Sequence, residues 1–305
     1  MKVILNSLAY SLYRVIRKAI RVVGLTNALR GVLSPIAEKL IWRLASKPGQ
    51  IFTVQGHQMV LASGDGRPSI GMVTGVFEEG TTRLFQRLLK PGMLVVDVGA
   101  HVGYYTMLAA KQVGPTGKVY AFEPDPDNYA ALLKNIELNG YRSVVAIQKA
   151  VSDRVGDAQL YLSATVSGNH SMYHHGTPER GSLPIETTTM DTMLEELGWP
   201  QVNLVKIDVE GGETAVLDGM VQLLSSTARF NLILEFMPAF LHNAGVPQRQ
   251  FLDKLASTYP QIYFIDEGNE PVLISVGDGS VLVDRLLAGE QSGNLLCTTE
   301  LLDEY

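Results

Sequence analysis

The chain is short of cysteine, of long apolar runs and, over most of its length, of positive charge. Cys297 is the single cysteine in 305 residues, which excludes an internal disulfide and any cysteine-based zinc site and fits a reducing, cytoplasmic compartment. No stretch approaches the roughly 18 uninterrupted apolar residues of a membrane span. The longest candidate, Val3 to Tyr13, runs into Arg14, Arg17, Lys18 and Arg21. These bases continue the same helix where a cleavage site would need small residues, so the leader is expected to be retained. Internal repeats and low-complexity segments are also lacking.

The net charge is −6, unevenly spread: residues 1–47 carry nine Lys/Arg against Glu38, leaving 16 bases against 30 acids in the remainder. So acidic a body excludes nucleic acid as a partner over any broad face. At about 100° per residue, Leu8, Leu12, Val15, Ile16, Ala19 and Val23 share one helical face, while Arg14, Arg17, Lys18 and Arg21 cluster opposite. A second helix is expected from Ser34-Pro35, a capping serine and a first-turn proline, through Trp42 to Leu44. Residues 1–48 therefore read as a basic amphipathic helical leader, with residues 1–47 expected to lie peripherally on the inner face of a membrane. Pairing with a second copy of the chain is the other use of the same stripe.

What is present after Gln50 is an alternation. "IFTVQGHQMVLAS" predicts a hairpin around Gly56, and a helix is expected over Arg83–Leu89, so that 49–90 forms an N-terminal hairpin and helix packed on the core. Strands are expected at Leu94–Val98, Lys118–Phe122, Val144–Ile147, Asn203–Ile207 and Asn231–Phe236, with helices at Tyr104–Val113, Pro126–Asn139, Met190–Leu197 and Glu213–Leu224. The order implies an α/β domain over 91–305, with a mostly parallel, Rossmann-like sheet and helices on both faces. Ile262–Ile265 and Val272–Val276 read as a closing antiparallel pair, and "NLLCTT" as a last strand. A long insertion, 153–189, with one strand near Gln159–Leu162, is placed to carry specificity.

The first turn names a ligand class. In "VVDVGAHVGYYT" the run Gly99-Ala100-His101-Val102-Gly103 lacks the middle glycine that lets backbone approach a pyrophosphate. Asp97, at the strand end, could hold a cationic or amino-bearing ligand directly or through water. Glu123, 24 residues after Gly99, stands where a carboxylate can accept both hydroxyls of a ribose. An acid for an amino-acid moiety and an acid for a ribose together suggest S-adenosylmethionine.

From about Gln50 to Ile265 the chain resembles the FkbM family of S-adenosylmethionine-dependent methyltransferases. The resemblance rests on "FEEGTT", "LKPGMLVVDVGAHVGYYTMLAA", "AFEPDPDNYAALLKNIELNG", "KAVSD", "TTTMDTML", "LVKIDVEGGETAVLDGM" and "LILEF". It implies a class I methyltransferase fold and methyl transfer to oxygen, often on a sugar, glycolipid or polyketide-type hydroxyl. It implies a cofactor loop at Asp97, Gly99, Ala100 and Gly103 with the continuation Tyr104, Tyr105 and Thr106. It further implies a ribose acid at Glu123 followed by Pro124, backbone flanking the adenine at Ala150 and Val151, and an acidic motif at Asp208 and Glu210. His101 stands where asparagine is more usual.

"KIDVEGGE" ends an apolar strand in Lys206, Asp208, Glu210 and Glu213, more charge than a strand end carries without a ligand to meet. Asp208 and Glu210 are two residues apart and can point together toward the carboxyl edge, whereas Glu213 opens the next helix and suits its dipole. Methyl transfer from a sulfonium needs an aligned acceptor and a base for its proton. The candidate bases are Asp208, Glu210, Glu235 of "LILEF" and His170 of the insertion. Asn169 and His170 are expected to touch the acceptor, and Glu78 either touches it or caps the helix starting near Thr81–Thr82. Asp208, Glu210 and Glu235 could also offer oxygens to magnesium, but the clusters of tighter metal sites are absent and no metal is expected to be required. The expected acceptor is a sugar, glycan or glycolipid hydroxyl. A small soluble phenol, polyketide or amine, or a catalytically silent binding scaffold of the same fold, are the rival readings.

Overall fold

A computed structural model describes residues 49–60, 72, 77–174, 176, 178–226, 229–265, 271–274, 281–288 and 292–301. The leader expected over 1–48 lies outside them.

A short hairpin, β1 (Phe52–Val54) and β2 (His57–Met59), precedes helix α1 (Glu79–Leu88). Phe52, Val54 and Met59 turn inward with Leu84 and Phe85 of α1. The alternating core then runs β3 (Leu94–Val98), α2 (Tyr104–Val113), β4 (Lys118–Phe122), α3 (Pro126–Asn139) and β5 (Val144–Ile147). Asn135 and Asn139 of α3 exchange hydrogen bonds with the backbone of Val60 and Gln58, which fastens the hairpin to the domain. The insertion holds β6 (Ala150–Val151), β7 (Gly156–Ser163), a single 3-10 turn at Ser167–Asn169 and β8 (Glu179–Thr188), which make a three-stranded sheet in the order β6-β8-β7.

Helix α4 (Met190–Glu196) leads to β9 (Leu204–Ile207), α5 (Glu213–Asp218), α6 (Val221–Ser225) and β10 (Asn231–Phe236). One helix was expected over Glu213–Leu224, and the structure breaks it at Gly219, where a Cβ would lie 1.9 Å from Ser152 O. Backbone just before the insertion crosses so closely there that only glycine fits, and Gly219 caps α5. The chain closes with α7 (Pro238–Asn243), α8 (Gln248–Thr258), β11 (Gln261–Ile265), β12 (Val272–Ile274), α9 (Val281–Leu287) and β13 (Gly293–Thr298).

The main sheet has eight strands in the order β12-β11-β13-β10-β9-β3-β4-β5. Strands β10, β9, β3, β4 and β5 are parallel, and β13 inserts antiparallel between β10 and β11. This is the class I methyltransferase arrangement. Side chains alternate across it: Val95, Val119, Ala121, Leu204 and Ile233 face α2, while Val96, Val98, Phe122, Val205, Ile207 and Leu234 face the layer of α4, α5 and α8. Burial on both faces, at about 1.5–3 kcal/mol for each large apolar side chain, is why these strands are continuous apolar runs. The strand order reverses at β3, between β4 and β9, and the carboxyl ends open there into a crevice.

Candidate active site

The loop after β3 folds back on its own sheet. Gly99 N and Ala100 N both donate to Phe122 O, at 3.0 and 2.8 Å, Gly103 N donates to Ala100 O at 2.7 Å, and His101 N donates to Glu123 Oε2 at 2.8 Å. These four amides are spent on protein acceptors, so the loop does not cradle a phosphate. At Gly99, φ is 82° and a Cβ would lie 1.8 Å from Asp208 O, so the β3 loop and the β9 loop touch backbone to backbone.

Glu123 closes one end of an open cleft with about 550 Å³ of empty space. It is buried, takes hydrogen bonds from Asp125 N at 2.9 Å and His101 N at 2.8 Å, and has Asn128 Nδ2 at 3.5 Å. A carboxylate has about four lone-pair sites, so room remains for the two hydroxyls of a ribose. Burial pushes its pKa up to about 7 against the pull of those backbone donors. The cleft is also lined by Gly99, Pro124, Ala150, Val151, Asp208 and Glu210.

Other expected cofactor residues stand behind this wall. Asp97 is 2% exposed and accepts from Thr106 Oγ1 at 2.6 Å, because its register turns it toward α2. Tyr104 reaches the hydroxyl of Thr82 at 3.2 Å and takes Gln55 Nε2 at 3.3 Å, joining α1 and the hairpin to α2. Gly103 is the left-handed N-cap of α2. Asp97, Gly103, Tyr104 and Thr106 thus stand in the frame behind the cleft and not in its lining; Ala100, too, contributes its amide to the turn and does not line the cleft.

At the other end the carboxylates gather. Oxygens of Asp208, Glu210 and Glu235 lie within 4.8 Å of one another, from the β9 loop and β10. Glu210 Oε2 and Glu235 Oε2 are out of solvent contact and have no hydrogen-bond partner among the described residues. Burial, then the charge of Asp208, raises Glu210 to about 9 and Glu235 well above the ordinary carboxylate range. Glu78 joins them electrostatically and accepts Tyr105 OH at 2.6 Å from a left-handed backbone, φ 41°. The sequence left Glu78 between cap and substrate contact. As N-cap residue of α1 it makes no side-chain cap bond, and its carboxylate faces the cluster instead. Glu213 is buried and accepts from Val209 N at 3.3 Å and Gly211 N at 3.1 Å, so it holds the turn in which Glu210 sits at φ 53°.

The insertion covers the cleft. Ser167 meets His101 Nε2 at 2.8 Å, and Ser171 Oγ donates to Glu210 O at 2.7 Å, which ties the segment to both loops. His170 lines the cleft and its Nδ1 accepts from Ser163 N at 3.1 Å. A neutral ring so held carries its proton on Nε2 and is a donor there. Its Nε2 has Arg180 Nη2 at 3.5 Å, so both ring nitrogens face nitrogen groups of the insertion itself. Asn169 ends the 3-10 turn beside it, outside the lining.

Sequence reasoning missed Asn128, Lys149, Leu160, Ser167, Ser171, Met172 and Val209 of the lining, and assigned no role to Lys206. A lysine inside "LVKI", otherwise apolar, was the available signal for the last.

Residues 97–255, just over half of the chain, match the family model described as the methyltransferase FkbM domain. The chain belongs to the FkbM methyltransferase family. Methyltransferases of this family use S-adenosylmethionine. Among curated relatives, this FkbM-family chain is 30% identical to the hexuronic acid methyltransferase AglP of Haloferax volcanii, over 49% of the chain and 59% of that protein. It is 26% identical to the 2-O-methyltransferase NoeI of Sinorhizobium fredii, over 69% of the chain and 88% of that protein. To the 31-O-demethyl-FK506 methyltransferase FkbM of Streptomyces tacrolimicus it is 34% identical, over 43% and 61%. The match to the haloarchaeal protein thus spans less than two thirds of that relative. Among solved structures, an O-methyltransferase from Bacillus cereus in complex with SAH aligns over 73% of this chain and 80% of its own, at 11% identity and a TM-score of 0.40.

Proposed function

We propose that this protein transfers a methyl group from S-adenosylmethionine to a hydroxyl oxygen of a sugar, within a glycan or glycolipid. The observation that carries the reading is one wall shared by two functions: the cleft that ends at Glu123 opens at Asp208 and Glu210, where half-buried carboxyl groups, Glu235 the third, converge. S-adenosylmethionine supplies the methyl group as an electrophilic sulfonium. Glu123 would hold the ribose, Ala150 and Val151 would flank the adenine, and Asp208 and Glu210 would face the reacting end. There the acceptor oxygen would attack the methyl carbon as the C–S bond breaks and S-adenosylhomocysteine leaves, the hydroxyl proton passing to whichever carboxyl of the Asp208–Glu210 pair is ionised. We take the site to need no metal: the Lys206 ammonium, 2.7 Å from Asp208 Oδ2, offsets part of the negative charge where Asp208, Glu210 and Glu235 meet.

Two features favour a sugar. Arg180 Nη2 lies 3.5 Å from His170 Nε2, which sets a guanidinium beside the cleft where an oxygen-rich or carboxylate-bearing acceptor would sit. Two of the relatives are named for hexuronic acid and 2-O methylation. The basic leader, residues 1–47, would hold the enzyme on the inner face of an anionic membrane, next to a lipid-linked acceptor. Incubation with methyl-labelled S-adenosylmethionine and a panel of uronic-acid glycosides, neutral disaccharides and lipid-linked sugars tests this. Label on a sugar oxygen is the expected result; label only on phenol, polyketide or amine controls would replace the sugar by a small soluble acceptor.

A further inference from the structure

The least expected side chain in the sheet is Lys206. It lies inside β9, flanked by β3 and β10, and is 1% exposed. Parallel register sets it directly beside Asp97 of β3. Two residues along β9, on the same side, Asp208 Oδ2 receives its ammonium at 2.7 Å, and the ring of Tyr105 lies beneath Nζ at 4.4 Å to the centroid. The charged and titratable groups facing it are therefore Asp97 from β3, Tyr105 from α2, Glu78 from the start of α1, and Asp208 and Glu210 from its own loop. Carrying a buried ammonium into the middle of a sheet is costly unless close anions compensate it. A purely structural reason is weak, because Leu204, Val205 and Ile207 around it form an ordinary apolar strand.

We infer that Lys206 is a positioning residue: its ammonium links the framework acid Asp97 to the site acid Asp208 and fixes the Asp208 carboxylate in the wall where cofactor and acceptor meet. This rests on the proposed cofactor site. Asp97 then contributes without touching the ligand, by balancing the lysine from behind. Burial pulls the ammonium toward neutrality, and the charges of Asp208, Glu78 and Asp97 outweigh it and keep the proton on. Asp97, raised by burial, is in turn held down by Lys206 and by Thr106. The result is a fixed pair in which the lysine is buried and Asp208, 24% exposed, lines the cleft. Tyr105 locks the lysine from the remaining side, and its own hydroxyl is spent on Glu78.

The test is calorimetry with S-adenosylmethionine at pH 8, above the Glu123 titration, on the full chain and on Lys206→Met and Lys206→Arg, joined to ¹⁵N spectra of the lysine ammonium groups. Lys206→Met should weaken the cofactor about 10-fold, the loss of one charge-assisted contact, and Lys206→Arg should recover most of it. The ¹⁵N spectrum should show a protected ammonium resonance, lost in Lys206→Arg, that moves in Asp208→Asn and again on adding S-adenosylmethionine. If Lys206→Met fails to fold, Lys206→Met with Asp97→Asn removes the uncompensated acid, and its affinity decides. A folded Met variant with parental affinity, or a resonance unmoved by Asp208→Asn, overturns the inference while leaving the cofactor site standing. A full chain that binds no S-adenosylmethionine overturns the cofactor site itself and this role with it.

Discussion

Gly99 and Asp208 touch: a Cβ on Gly99 would lie 1.8 Å from Asp208 O, so the cofactor-side loop and the acid-side loop are one packed unit. The resemblance places Gly99 in the cofactor loop, and the close neighbour on its Cβ side is the protein's own backbone. Gly99→Ala should therefore destabilise by about 3 kcal/mol, combining left-handed strain with the clash. Denaturant unfolding measures this. A variant as stable as the parent would mean that the two loops separate readily.

Glu123 makes cofactor binding pH-dependent. Burial holds its pKa near 7 against an ordinary 4.5, and only the ionised form accepts two ribose hydroxyls. Affinity for S-adenosylmethionine should fall about tenfold between pH 8 and pH 6. The stability of the free protein has the opposite sign. A carboxyl raised on folding favours the folded state most below the unfolded pKa, and that contribution, about 3 kcal/mol, is lost as pH climbs from about 4.5 to 7. Glu123→Gln should flatten both profiles, as read by calorimetry and by unfolding at several pH values.

Turnover should depend on the acidic motif. Asp208→Asn and Glu210→Gln keep shape and delete charge, and each is expected to slow methyl transfer by about 10²–10⁴. A chelator should leave the parental rate unchanged. If both amide variants turn over at the parental rate, the proton goes elsewhere, with Glu235 next in line.

The leader's proposed role separates from packing by salt. Full-length protein should sediment with anionic vesicles and release as ionic strength rises, because screening weakens lipid attraction and spares apolar packing. Replacing Arg14, Arg17, Lys18 and Arg21 by glutamine should abolish sedimentation. Sedimentation that ignores both salt and charge would assign the stripe to pairing or packing.

The strands of this fold were legible because each is apolar on both faces, and Glu123, Asp208 and Glu210 were legible because acids at the ends of such strands stand out. Strand β8, "ERGSLPIETT", was not: glycine, proline and charges at its start mask a partner that β7 supplies. Asp97 was legible as an acid at the end of β3, but the motif fixes its position along the strand and not its direction. Only the register beside Lys206 shows that it faces α2. His170 stood out by its type, but that its Nδ1 is taken by one backbone amide, Ser163 N, no sequence pattern announces.

The central claim, that the cleft ending at Glu123 binds S-adenosylmethionine, is tested most directly by calorimetric titration of the full chain and its Glu123→Ala variant at pH 8. Losing charge-assisted hydrogen bonds of roughly 1.5–3 kcal/mol should weaken binding about 10- to 100-fold, with no competition from a nicotinamide dinucleotide. A folded Glu123→Ala protein with undiminished affinity, or a nicotinamide dinucleotide bound more tightly than the sulfonium, would contradict it.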